Sequence, residues 1–335
     1  MYDIVTLTGA ETDGAGALLA ARHVRERARF PLLPMAYEDP VRATDLVRDA
    51  LAFCDGVAAL DHDGTIVGFL TWFESTPDPQ SPMARYSPER SSLHLVHGHA
   101  VAADAGPVYA VLFTDLADRA LERGITDFVV HVPIGEPATE AAWVALGFGR
   151  ANAFAVRDLA PVHRRPPADV EVRVAGPDDV GVVDRLVDEE AVFHAASPIF
   201  RPYRRRQTAD AVRTELASQL ASDDHAFLIA RRNRRDVGVL SVGPGTGSPL
   251  YVPEGGAYIA ATAVLADERG SGAGAALVDA ALAWARDHGH LAACLHFSTA
   301  NTTSTAFWTR IGFRPVMVHL RRRLDERILD DRPLA

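Results

Sequence analysis

Hydrophobic positions recur at two spacings along this chain, and the switches between them outline alternating strands and helices. In Val170–Ala175 apolar and polar residues alternate one by one, the period of a half-buried strand. Gly176, Pro177, Asp178 and Asp179 follow, turn and cap residues that predict a helix running to about Ala195. A further helix is predicted over Thr208–Ser222, then a hairpin of Ala226–Ala230 and Val237–Val242 joined by Arg231–Asp236. The remainder predicts a strand at Ala257–Val264, a glycine-rich turn, a helix at Ala275–His288 and a strand at Leu291–Ser298. A helix at Thr303–Ile311 and a strand at Pro315–Arg323 close the series.

The earlier part of the chain repeats this order. A strand near Ile4–Leu7 precedes helical segments to about Ala52, and a hairpin over Gly56–Glu74 turns at Asp61–Gly64. After a proline-rich loop at Thr76–Pro88 come a strand at Leu93–Ala102, a helix at Tyr109–Arg123 and a strand at Asp127–Val132. A helix ending at Leu146 and a strand at Ala151–Asp158 follow. Shifting the chain by 165 positions brings Gly124 onto Gly289, His131 onto His296 and Trp143 onto Trp308. The same shift puts Gly147-Phe148 on Gly312-Phe313. Four matches in one ungapped frame are the mark of an internal repeat. The expected organisation is a first domain at 1–159, a proline- and arginine-rich linker at 160–169 and a second domain at 170–335.

A length of 335 residues gives each copy enough chain for its own core. The net charge of −10 argues against general nucleic-acid binding, which needs clustered positive charge. Arginines do cluster at Arg204–Arg206, Arg231–Arg235 and Arg321–Arg323, readable as solvated charge or as contacts to a phosphorylated ligand. The chain contains no lysine, so it cannot acylate itself on a lysine side chain. No apolar run is long enough for a membrane span, and no basic-then-apolar leader opens the chain. Cys54 and Cys294 lie far apart in apolar segments without metal-ligand spacing, so no metal is expected. Buried thiols in a cytoplasmic protein are the expectation.

Ala266 to Gly274 form a glycine-rich turn that opens a helix. Such a turn aims backbone N–H groups at one point, and the helix dipole adds attraction for an anion. Taken alone it reads equally as a tight strand–helix connection. The order Val264, Arg269, Gly272, Gly274, followed by Asn301, Ala306, Phe307 and Gly312-Phe313, resembles the acyl-CoA signature of the GNAT N-acetyltransferase superfamily. The likeness is specific over Ala257–Val316 and looser back to Val170. It implies an α/β (α+β) architecture of tandem GNAT folds, each a twisted, mostly antiparallel sheet flanked by helices. It further implies that Thr262, Ala263 and Val264 pair with the pantetheine of acetyl-CoA or another acyl-CoA. Arg269, Gly270, Ser271, Gly272, Ala273, Gly274 and Ala275 would cradle the pyrophosphate, with Asn301 and Phe307 beside the cofactor. Asn301 also reads as a helix cap.

In the 165-residue frame Asp104 faces Arg269, Pro107 faces Gly272 and Tyr109 faces Gly274. A carboxylate, a missing N–H and a bulky ring all oppose diphosphate binding, so the first copy is expected to be silent. Trp308 stands where many GNAT enzymes carry an acid tyrosine, and His296 where some carry a base. His296 reads either as that base or as a structural histidine, because His131 repeats it in the silent copy. Glu189, Glu190 and His194 are further candidates on a helix that would border the acceptor cleft. The expected activity is transfer of an acyl group to an amine of a small molecule or a protein N-terminus. Homodimerisation stays open. A non-catalytic acyl-CoA-binding protein is the alternative. A different nucleotide-binding α/β protein ranks last, for lack of an acidic residue near Gly289–Ala293 to hold a ribose. The irregular segments 197–207 and 243–256 would supply the acceptor side.

Overall fold

The computed structural model describes residues 2–330 apart from 82, 83, 85, 103, 163–166 and 204, and apart from the side chains of 205–208. Arg204, the side chains of Arg205 and Arg206, and residues 163–166 of the linker therefore lie outside the described residues. In the first half β1 (Asp3–Thr6) leads to α1 (Gly9–Arg29), whose start is fixed by a reciprocal cap between Thr8 and Glu11. Asp39 accepts from the Val41 amide and Pro40 takes the first helical position, starting α2 (Pro40–Leu51). The hairpin β2 (Asp55–Leu60) and β3 (Ile66–Ser75) follows, then β4 (Ser91–His94) and β5 (His99–Val101). The continuous strand predicted at Leu93–Ala102 is broken here by a short 3₁₀ turn at Val96–Gly98. α3 (Ala105–Glu122), β6 (Asp127–Pro133), α4 (Pro137–Ala145) and β7 (Gly149–Asp158) complete this half.

The second half repeats the plan. It runs through β8 (Val170–Val174), α5 (Val180–Ala195), α6 (Arg205–Leu220), β9 (Ala226–Arg232) and β10 (Arg235–Pro244). Then come β11 (Gly256–Val264), α7 (Ala273–Asp287), β12 (Ala292–Ser298), α8 (Thr302–Arg310) and β13 (Arg314–Arg323). Strand pairing follows the sequence frame. Ser92, Leu93 and His94 pair in parallel with Phe128, Val129 and Val130. Adding 165 to each gives pairs observed in the second half, Ala257 with Ala293, Tyr258 with Cys294 and Ile259 with Leu295.

The two halves do not form separate sheets. Their strands join in one sheet, in which β13 lies between β6 and β7, and β7 lies between β13 and β12. Each half thus lends its last strand to the other. All three new contacts are antiparallel. Arg157 on β7 secures the exchange by donating to the carbonyls of Ile311 and Ala160. A second bridge runs through the loop after β10, where Leu250 and Tyr251 are buried in a core shared with α1 and α2. There the Tyr251 hydroxyl donates to Glu26, which pairs with Arg22 at 2.9 Å, all three buried. The segment 243–256, expected beside the acceptor, is therefore largely committed to holding the halves together. No helix among the described residues is long and apolar enough to cross a membrane.

Candidate functional site

β11 and β12 pair only from Gly256 to Ile259 and from Ala292 to Leu295. Beyond that point they diverge. β11 continues along β10 to Val264, while β12 turns to β7 and stays with it through Ser298. The edge of Ala260–Val264 that faces β12 therefore has no strand partner, and a chain of amide groups can add to it as a strand would. The hydroxyl of Thr262 is buried on this segment without a hydrogen-bond partner among the described residues. A buried orphan of this kind points to a ligand that supplies the missing partner.

At the outer end of β11 the chain turns through Arg269 into α7. Gly270 and Gly272 hold φ of +86° and +96°, a region that glycine enters freely. A Cβ on Gly270 would meet nothing within 4 Å, so the space above it is open. A Cβ on Gly272 would strike the Pro167 ring at 2.6 Å, and one on Gly274 would come 3.4 Å from Phe307. Gly274 thus lets α7 and α8 approach closely. Arg269 lies over the Phe193 ring at 4.4 Å, with its Nε 3.3 Å from the Val264 carbonyl. The acidic neighbours Asp267 and Glu268 are neutralised by Arg235 and Arg232 at 2.6 and 2.9 Å. Within the turn the Ser271 amide donates to the Glu268 carbonyl and the Ala273 amide to the Ser271 hydroxyl. Gly274 and Ala275 lie in the first turn of α7, where amides have no helical acceptor, and little charge opposes an anion.

A strand fork ending in this turn matches a known family in sequence as well. Residues 190–313 match the acetyltransferase (GNAT) family. The second half carries a GNAT domain. The fold of the whole chain is similar to a GCN5-related N-acetyltransferase from Sphaerobacter thermophilus. The two share 14% identity over 96% of this chain and 95% of the other, with a TM-score of 0.57. It is also similar to a tandem GNAT protein from the clavulanic acid biosynthesis pathway, solved without AcCoA. Here the identity is 19% over 96% of this chain and 98% of the other, with a TM-score of 0.50. No curated protein matches the chain. The tandem GNAT layout expected from the internal repeat is thus the observed architecture.

The corresponding fork in the first half is filled. The His99 ring bridges it, with Nδ1 2.7 Å from the Tyr109 hydroxyl and Nε2 2.8 Å from the carbonyl of His131. Tyr109 and Trp143, at 5.1 Å between ring centroids, are fully buried behind it. His99 stands at the position of Val264 and Tyr109 at that of Gly274. Both side chains are fully buried, so the first-half fork is packed by its own residues.

The remaining predicted residues fall into distinct roles. Asn301 is buried, and its side-chain oxygen accepts from the Ser304 amide, so it caps α8. Trp308 is buried between Phe307 and Phe313 and offers no proton donor to the fork. His296 follows Leu295, the last paired residue, and so borders the inner end of the fork. Its Nδ1 lies 3.0 Å from the hydroxyl of Tyr258. Burial pushes His296 down to about 4, so its imidazole is neutral near pH 7. Burial, with Cys294 and Glu190 nearby, pushes the Tyr258 phenol up, which keeps its proton in place.

Sequence reasoning missed Tyr258 and a row of polar groups on the same sheet face. Strand register sets His131 opposite His319, His319 opposite Asn152, and Asn152 opposite Ser298. Phe154, two residues along from Asn152, lies opposite His296. The stripe Val183, Leu186, Val187, Glu190, Phe193 and His194 runs at helical spacing along α5, buried in its first half and half-buried after. Glu190 and His194 extend an inward-facing stripe, a signal that was present in the sequence. Most of the described clustered arginines have protein partners: Arg231 pairs with Asp236, Arg232 with Asp169, Arg235 with Asp267, Arg321 with Asp127 and Arg323 with Glu326.

Proposed function

We propose that this protein is an acetyl-CoA-dependent N-acetyltransferase in which the GNAT domain alone binds the acyl donor. The observation that carries the reading is the unpartnered edge of Ala260–Val264 leading to the open space above Gly270. Bound acyl-CoA would supply a thioester carbonyl as the electrophile. The backbone of Thr262, Ala263 and Val264 holds the pantetheine arm, and the Thr262 hydroxyl takes its missing hydrogen bond there. The amides from Gly270 to Ala275 and the Arg269 guanidinium hold the pyrophosphate. In the first half, His99 and Tyr109 take up the equivalent space, so that half binds no donor.

The acceptor is an amine of a small molecule or of a protein N-terminus, attacking directly. Neither thiol serves as a relay for the acyl group, because burial pushes both Cys54 and Cys294 up to about 12. Two free, buried thiols also suit a reducing cytoplasm. With its Nδ1–H donating to Tyr258, the His296 Nε2 carries the lone pair that accepts a proton from the amine. The leaving thiolate needs no strong acid, which fits the aromatic packing of Trp308.

Binding without turnover is the second reading, and Trp308 in place of an acid tyrosine is the observation in its favour. Release of thiol from acetyl-CoA across a panel of amines separates the two. Turnover is expected with at least one amine, and His296→Ala lowers kcat by about 10²–10⁴ while leaving donor affinity within about threefold. Donor binding without turnover on any amine would establish the second reading.

A further inference from the structure

The two tyrosines that cross between the halves occupy the same place in the repeat. Tyr251 lies 165 residues after Tyr86. Tyr251, from the loop after β10, reaches the Arg22–Glu26 pair on α1 of the first half and is buried there. Tyr86, from the loop after β3, reaches the second half, where the guanidinium of Arg201 sits 5.2 Å above its ring. The outcome differs. The first-half contact is closed by a carboxylate, whereas Tyr86 remains 42% exposed and Phe200, the residue before Arg201, 71% exposed.

Arg201 lacks the partner that Arg22 has. Its Nη2 donates to the Asn152 side chain at 3.1 Å, but no described carboxylate lies within ion-pair distance. Burial depresses its pKa, the expected response of a guanidinium taken partly out of water, and outweighs the opposing pull of Glu190. Its position is nevertheless fixed. The Arg201 amide donates to the His194 carbonyl at 2.8 Å, and the Phe200 amide to the Ala196 carbonyl at 3.0 Å. Phe200 holds φ +52°, which bulky residues rarely adopt and which marks a loop constrained by its surroundings. A half-buried, positioned arginine with donors to spare, at the mouth of a face that holds His296, is an anion receptor.

We propose that the acceptor is an amine that also carries a carboxylate, bound by Arg201 in a cleft that both halves build. The first half contributes Tyr86 beneath the guanidinium and Asn152, on its exchanged strand, as the positioning residue. This rests on the function proposed above and names its substrate class. Asn152 and the residue facing His296 are two positions apart on β7, about 7 Å along the strand. That spacing suits a dipeptide or a short ω-amino acid better than an α-amino acid, whose two charged groups adjoin.

The test compares acids with their uncharged counterparts, using thiol release from acetyl-CoA. Glycylglycine is set against glycylglycinamide, and 5-aminopentanoate against pentylamine, with O-phosphoethanolamine as the phosphate arm. The expected kcat/KM favours the carboxylate member of each pair by about tenfold or more. Arg201→Gln collapses that ratio to about one, mainly through KM, and Asn152→Ala lowers it partially while Asn152→Gln restores part of the loss. Acetyl-CoA affinity and melting temperature, measured on each variant, confirm that it is folded. Equal rates for acid and amide, a preference for the phosphate, or an Arg201→Gln effect common to all acceptors would overturn the proposal. If acetyl-CoA binds and turns over without carboxylate preference, this inference falls alone. If the donor does not bind, the function proposed above falls with it.

Discussion

A chain ending at Phe313, without β13, is expected to lose the fold of both halves. β13 lies between β6 and β7, and its Val316, Met317, Val318 and Leu320 are almost fully buried. Burying four such side chains contributes about 6–12 kcal/mol, which is the scale of an entire domain's stability. The first half loses a strand pairing with β6 that its own sequence does not provide. Hydrogen exchange over Asp127–Pro133 is the measurement, and loss of protection there is expected although the cut lies far along the chain. Native protection of β6 in the truncated chain would show that the exchanged strand is dispensable to the first half.

Mild acid is expected to unfold the protein near pH 5. Burial holds His94, His97 and His296 down to about 4 and His131 to about 3, from an ordinary value of 6.5. His99 and His319 are also held well below it by burial, helped by Arg22 and by His131 respectively. In the unfolded chain all six take up protons near pH 6.5, so below that value the unfolded state binds more protons than the folded one. Stability is therefore unaffected above about pH 7 and falls as the pH drops from 6.5 toward 4. At pH 5 each group costs about 2 kcal/mol, and the four with values together approach about 8 kcal/mol. Trp143 lies 6.2 Å from both His94 and His99 and reports the transition by its fluorescence. Native fluorescence retained at pH 4 would contradict the burial of neutral histidines at the sheet centre.

Much of this was legible in the sequence because the repeat is ungapped where it matters. The 165-residue frame carries strand pairs onto strand pairs, and the glycine turn stood out because positive φ and an open approach both demand glycine at Gly270. Other features could not be read. An alternating strand such as Ala151–Asp158 specifies which face is buried but not which neighbour it pairs with, so the exchange of β7 and β13 left no local mark. Arg201 and Tyr86 meet through that exchange and lie in irregular loops, where periodicity says nothing. Asn301 had two readings in the sequence, and its side-chain oxygen accepts from the Ser304 amide as a helix cap. The Tyr258–His296 contact joins adjacent parallel strands and needed the register to be found.

The strand exchange also gives the silent half a purpose in physical terms. β7, the last strand of the first half, lies between β13 and β12 of the second. That strand carries Asn152 into the cleft of the other half.

The most direct test of the central claim is calorimetric titration of the full chain with acetyl-CoA, comparing the native protein with Gly270→Asp. A carboxylate there faces the pyrophosphate position, and the left-handed backbone costs only about 1–2 kcal/mol in stability. The account predicts one site per chain, weakened about 100-fold or more in the variant while the protein remains folded. Two sites per chain, or a single site indifferent to Gly270→Asp, would contradict it.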